Sequence, residues 1–68
     1  MSIYNIAKRC LREIRGSTSL PMLAVSYRYY RLFYETMIKK RVSVDVISRI
    51  DAYVLKVYKN KKRKLDGL

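Results

Sequence analysis

The segment from Ser26 to Arg41 constrains the fold of this 68-residue chain more than any other segment does. Five of the eight residues from Tyr27 to Tyr34 are aromatic. On a helical wheel, at about 100° per residue, the apolar side chains of the segment spread over roughly 220°. The charged side chains fall on one narrow line, which contains Arg28, Arg31, Glu35 and Lys39. A helix patterned in this way must be enclosed from more than one side, as the middle helix of a bundle or against a partner.

Apolar residues at helical spacing predict a helix on each side of this segment. The first helix is expected to begin at an N-cap, Ser2, and to end at Gly16 in a left-handed conformation. Its apolar face contains Ile3, Ile6, Ala7, Cys10 and Ile14. The second helix has Pro21 in its first turn, and Ser43 is predicted to cap the third. The apolar face of the third contains Val44, Ile47, Ile50, Val54, Val57 and Tyr58.

We therefore predict an all-α fold, a small three-helix bundle with helices at about 2–15, 21–41 and 44–62. The bundle forms one domain over residues 1–62, and a basic, flexible tail follows over residues 63–68. We expect the third helix to leave the core at Lys61, because a charge stands there where the next core residue is due. Asp51 interrupts the same apolar face, so either a base on another helix pairs with it or it is solvated at the margin.

Composition restricts the chemistry available to the chain. It has no His, one Cys and five scattered carboxylates, which disfavours a metal site and an acid/base pair and excludes an internal disulfide. Cys10 is expected to be a small core residue rather than a nucleophile. We therefore predict that the protein is not an enzyme. Its longest uncharged stretch is twelve residues, shorter than the roughly 20 of a membrane span.

Charge points to an anionic partner, since sixteen Lys and Arg against five acids give a net charge of +11. Six of the nine residues from Lys56 to Lys64 are basic, a pattern suited to phosphates, although an exposed helix end that only aids solubility is the alternative. The candidate RNA-binding residues are Lys56, Lys59, Lys61, Lys62, Arg63 and Lys64. The aromatic residues of the second helix are better interpreted as core than as base-stacking rings.

Residues 1–15 are amphipathic, rich in Arg and almost free of acids, as mitochondrial targeting helices are. Because the chain begins at Met1, we expect this segment to be retained rather than cleaved. The pattern predicts a location in the mitochondrial matrix.

The chain resembles the LYR-motif family of small mitochondrial accessory proteins over nearly its whole length. The resemblance rests on a basic first helix from Ile6 to Arg15, a Tyr- and Arg-rich second helix ending in Lys-Lys-Arg, and a capped third helix. The Leu-Tyr-Arg of the family would fall on Ile6-Ala7-Lys8, which keeps the aliphatic residue and the cation and loses the ring. The characteristic Phe of the family would fall on Met37. The segment from Tyr30 to Asp45 also resembles the branch that assists ATP synthase assembly.

The resemblance implies a non-catalytic adaptor that binds mitochondrial acyl carrier protein. The acyl-phosphopantetheine would be supplied by that carrier, so the chain would bind no cofactor directly. The residues that would face the acids of the carrier are Lys8, Arg9, Arg12 and Arg15. The candidates to line the acyl chain are Ile6, Cys10, Tyr30, Phe33, Met37, Ile47 and Val54.

The net charge of +11 favours the mitochondrial ribosome, or an assembly intermediate of it, as the host of this adaptor. An ATP synthase or respiratory complex is the next choice. The alternative function is that of a small ribosomal protein that binds rRNA directly, without a carrier protein.

Overall fold

The computed structural model describes residues 2–67, so Met1 and Leu68, at the ends of the predicted domain and tail, lie outside it. It contains the helices α1 (Ile3–Arg15), α2 (Leu20–Lys39) and α3 (Val44–Asp66). Each helix packs against the other two, which confirms the predicted all-α three-helix bundle. Short turns make consecutive helices antiparallel, so α1 and α3 run in the same direction beside each other.

Serine side chains cap the first two helices. Ser2 accepts a hydrogen bond from the N–H of Tyr4 at 3.3 Å, as predicted, and Ser19 accepts one from the N–H of Met22 at 3.3 Å. Ser43 holds the predicted N-cap position of the third helix, but its side chain makes no capping hydrogen bond.

Within residues 2–67, the left-handed residue is Arg41, with φ of 58°, and not Gly16, whose φ of −79° is right-handed. The N–H of Arg41 donates to the carbonyl of Ile38 at 3.1 Å, and the N–H of Val42 donates to the carbonyl of Met37 at 3.0 Å. These two bonds form a Schellman motif, which satisfies the last carbonyls of α2 and turns the chain toward α3. Helix α2 therefore ends at Lys39, two residues before the predicted boundary.

Helix α3 continues to Asp66, so the prediction of a helix that ends near residue 62 and leaves the core at Lys61 was wrong. Lys61 is only half-exposed, and Leu65, one turn later, packs against the core. A Lys side chain can lay its methylene groups along apolar surface while its amine reaches water. A single charged residue in the apolar face, Lys61, therefore does not end the helix, because the next apolar residue, Leu65, follows four positions later on the same face.

The core is formed by one face of each helix. Its buried residues are Ala7, Cys10, Ile14, Leu23, Tyr30, Phe33, Met37, Ile47, Ile50 and Val54. Tyr27 and Tyr34 are half-buried beside this core, whereas Tyr29, predicted on the same flank of α2 as Phe33, is 65% exposed. Val44, predicted on the apolar face of α3, is also exposed.

Tyr30 and Asp51 connect α2 and α3 through the core. The Tyr30 side chain is fully buried, and its hydroxyl donates to Oδ1 of Asp51 at 2.5 Å. Burial, and then the hydrogen bond to this carboxylate, raise the pKa of Tyr30 well above its ordinary value. The partner of Asp51 is therefore a phenol, whereas a base or solvent was expected.

A second polar cluster lies where α1, the linker and α2 meet. The hydroxyls of Ser17 and Ser26 are 3.2 Å apart and both reach the carbonyl of Glu13, at 3.0 and 3.3 Å. Both serines are buried, and no buried side-chain N or O atom within residues 2–67 lacks a partner. The linker is thus fixed to both helices by hydrogen bonds that the sequence pattern did not indicate.

Candidate functional surfaces

The outer face of α1 presents four cations, Lys8, Arg9, Arg12 and Arg15, and all four are exposed. Lys8, Arg12 and Arg15 share a shallow groove with Leu11. Lys8 and Arg15 also line grooves that α1 forms with α3. Arg9 lies on the opposite side, toward α2. The structure therefore exposes all four predicted carrier-binding residues, but Arg9 is separated from the other three.

An apolar groove of about 540 Å³ runs between α1 and α2. Its lining residues are Ile6, Arg9, Cys10, Glu13, Tyr29 and Phe33. Three of the residues predicted to line an acyl chain, Ile6, Cys10 and Phe33, are brought together here. Burial raises the pKa of the Cys10 thiol, which stays protonated at neutral pH and presents an apolar surface.

The other four predicted lining residues do not reach this groove. Tyr30, Met37 and Val54 are at most 1% exposed, and Ile47 is buried with them. Val54 contributes to a separate groove of about 300 Å³ between α1 and α3. The structure thus brings three of the seven predicted lining residues into the groove between α1 and α2, because a wheel identifies the inward face of a helix but not the gap into which each side chain opens.

A basic groove of about 450 Å³ lies between the C-terminal parts of α1 and α3. It is lined by Arg15, Tyr53, Lys56, Val57, Asn60, Lys61 and Lys64. Nη2 of Arg15 donates to the Tyr53 hydroxyl at 3.0 Å, which holds the guanidinium at the rim. The groove thus joins one predicted carrier-binding residue to three predicted RNA-binding residues.

The remaining predicted RNA-binding residues, Lys59, Lys62 and Arg63, are exposed on other sides of α3 and do not line the groove. Sequence reasoning missed Tyr53 and Asn60. The sequence could have indicated both residues, because positions 53, 56, 60 and 64 have the spacing of one helix face and so lie beside one another.

Comparisons with protein-family models, with curated proteins and with solved structures find no significant match to this chain. Within residues 2–67, no three His, Cys, Asp or Glu side chains gather as metal ligands. Among the helices described above, none has the length and apolarity needed to cross a membrane. The likeness to the LYR-motif family therefore stays a prediction.

Proposed function

We propose that this chain is a non-catalytic adaptor of the mitochondrial matrix that binds acylated acyl carrier protein and docks on a larger assembly. The observation that carries the proposal is the row of exposed cations on α1, one of which, Arg9, lines the apolar groove between α1 and α2. An acylated carrier presents two elements that complement these, an acidic helix and a hydrocarbon chain, next to each other.

In this proposal, the acidic helix of the carrier lies along α1 and contacts Lys8, Arg9 and Arg12. The acyl chain enters the groove over Ile6, Cys10 and Phe33, with Arg9 at the rim. A volume of about 540 Å³ falls within the roughly 300–1,000 Å³ of small-molecule sites. Each Å² of apolar surface that the acyl chain buries contributes about 25 cal/mol to the stability of the complex. This contribution matters because a domain as small as this one buries little apolar surface of its own.

The net charge of the protein indicates which kind of host assembly it would join. A net charge of +11 suits a polyanionic host, which favours the mitochondrial ribosome or an assembly intermediate of it. An ATP synthase or respiratory complex is the second choice, in accordance with the resemblance of the Tyr30 to Asp45 segment.

Native mass spectrometry with purified carrier protein tests the proposal. The acylated carrier should form a one-to-one complex, the carrier without an acyl chain should bind at least tenfold more weakly, and K8E/R12E should abolish binding. The matched control is K59E/K62E, which makes the same change of charge on α3, away from both grooves. Equal binding of both carrier forms, or equal losses in both variants, would refute the adaptor.

The basic groove supports a second candidate function, direct binding of rRNA without a carrier protein. Lys56, Lys61 and Lys64 suit phosphates, and the half-exposed ring of Tyr53 beside them suits stacking on a base. Neutralising Lys61 and Lys64 should then reduce the salt slope of RNA binding by up to about 0.7 per lost phosphate contact. K59Q/K62Q, outside the groove, is the control with the same change of charge, and equal slopes in both variants would argue against this groove as the RNA-binding site.

A further inference from the structure

Within residues 2–67, one stripe of apolar side chains on α2 is about half exposed or more. It consists of Met22, Val25, Tyr29 and Leu32, which are 49%, 55%, 65% and 57% exposed. We refer to these four residues as the α2 stripe. Scattered exposed apolar residues are normal, but a row of four neighbours on one helix is typical of an interaction site.

The spacing of the α2 stripe indicates the shape of its occupant. Its residues follow one another at intervals of three, four and three, which is the a/d spacing of a helix that packs against another helix. They extend over about three turns and lie within about 80° of one another on the wheel. Helices that lie on a membrane surface have a wider apolar face with Trp or Phe. The narrow α2 stripe therefore fits a single partner helix better than a membrane.

Charge around the α2 stripe indicates the chemistry of the occupant. Arg28 lies on α2 at one edge, and Arg9 shares the groove with Tyr29 at the other. Lys39 and Lys40 follow at the C-terminal end, so four cations surround the stripe against two acids, Glu13 and Glu35. A helix with acidic residues at the edges of its apolar face complements this arrangement.

A second copy of the chain fits less well. Each copy carries a net charge of +11, so association of two copies is opposed by their mutual repulsion. A two-fold axis through the middle of the α2 stripe, between Val25 and Tyr29, would also set the Arg28 side chains of the two copies facing each other. Like charges in such flanking positions disfavour a helix pair.

We infer that the α2 stripe docks an amphipathic α-helix of a partner protein whose apolar face is flanked by acidic residues. This site shares Arg9 and Tyr29 with the groove proposed for the acyl chain, but it does not involve Lys8 or Arg12, so it holds whether or not α1 binds a carrier. If the adaptor function also holds, the α2 stripe supplies the contact with the host assembly, and α1 supplies the contact with the carrier.

Fluorescence anisotropy with two synthetic helical peptides tests this inference. Both peptides have three heptads with Leu at a and d, and they carry either Glu or Lys at e and g. The Glu peptide should bind at least tenfold more tightly than the Lys peptide. V25E/L32E should weaken this binding at least tenfold, whereas the control A24E/I38E should not, because it places the same charges at exposed positions of α2 outside the stripe.

Other outcomes would overturn the inference. Equal binding of both peptides, or equal losses in both variants, would exclude an acidic-flanked helix at this stripe. Self-association or binding to anionic vesicles that V25E/L32E alone abolishes, with no peptide binding, would assign the stripe to a second copy or to a membrane. Loss of carrier binding in V25E/L32E, with normal carrier binding in A24E/I38E, would make the stripe part of the carrier site.

The two proposals fail separately. K8A/R12A should leave the Glu peptide bound within about twofold, even where it abolishes binding of the carrier. Failure of the carrier to bind the wild-type chain, with normal peptide binding, would refute the adaptor and leave the α2 stripe as a docking site.

Discussion

At the scale of the residue, Tyr30 is a side chain that links α2 to α3 through the core. It is fully buried, and its hydroxyl binds the half-buried carboxylate of Asp51. Tyr30→Phe keeps the ring and leaves Asp51 without this donor, which should lower the free energy of unfolding by about 1.5–3 kcal/mol. Urea unfolding followed by circular dichroism measures the loss, and a change below about 0.5 kcal/mol would show that water replaces the phenol.

The same residue makes stability depend on pH on the alkaline side. Because the pKa of Tyr30 is raised on folding, its contribution is complete below about pH 10, the unfolded value, and is lost as pH rises above it. Tyr30→Phe lacks this titration, so the difference in unfolding free energy between wild type and variant should be constant up to about pH 9 and shrink above about pH 10.

Arg41 holds a backbone conformation that costs an L-residue free energy. Its φ of 58° lies in the left-handed region, which glycine adopts without penalty. Arg41→Gly should therefore raise the free energy of unfolding by about 1 kcal/mol. Lys40→Gly, one residue earlier and with an ordinary negative φ, serves as control and should lower stability. A loss in Arg41→Gly would mean that the side chain contributes more than the conformation costs.

At the scale of the element, the length of α3 depends on Leu65. This residue packs against the core one turn beyond Lys61, so Leu65→Ala should lower the free energy of unfolding by about 1–2 kcal/mol. Lys64→Ala is the neighbouring control in the same turn, and being exposed it should change stability by less than about 0.5 kcal/mol. Equal, negligible effects would agree with the flexible tail expected from sequence.

The helices show what a single sequence can predict. Periodicity located all three, and Ser2 and Pro21 marked two of their beginnings, because these signals act within a few residues. The end of α3 was predicted too early. Whether Lys61 leaves the core depends on whether its methylene groups find apolar surface to lie along, which a sequence pattern does not show. The left-handed turn was assigned to Gly16 rather than to Arg41, because residue type favours a conformation but tertiary packing decides it.

The candidate surfaces were harder to predict than the helices. A wheel correctly placed the four α1 cations outside and the rings of Tyr30 and Phe33 inside. It gave no information on which helices border each groove, so the acyl-lining set was divided and Tyr53 was missed. The wide apolar arc of α2 was interpreted as enclosed, whereas two neighbouring helices cover only part of it and leave Tyr29 in solvent.

At the scale of the whole molecule, repulsion among its cations opposes folding. The chain carries a net charge of +11 on 68 residues and folds to a radius of gyration of 12.1 Å, so its cations lie close together. Salt screens charges over about 10 Å at 0.1 M, so the melting temperature should rise as NaCl increases from about 0.02 to 0.2 M. A K59E/K62E variant, with a smaller net charge, should show a weaker rise. A fall in melting temperature with salt would instead indicate that attractive pairs dominate.

The hydrogen bonds of Ser17 and Ser26 also bear on the order in which the bundle assembles. They join residues 4, 9 and 13 positions apart, whereas the bond from Tyr30 to Asp51 spans 21 positions. Short-range contacts close at lower entropic cost, so we expect α1 and α2 to form a hairpin in the folding transition state, before α3 docks. Ser26→Ala should therefore slow folding, and Asp51→Asn should chiefly accelerate unfolding, in stopped-flow chevrons. A chain that assembles in this order exposes the face awaiting α3 during synthesis, when a chaperone or a first partner has access to it.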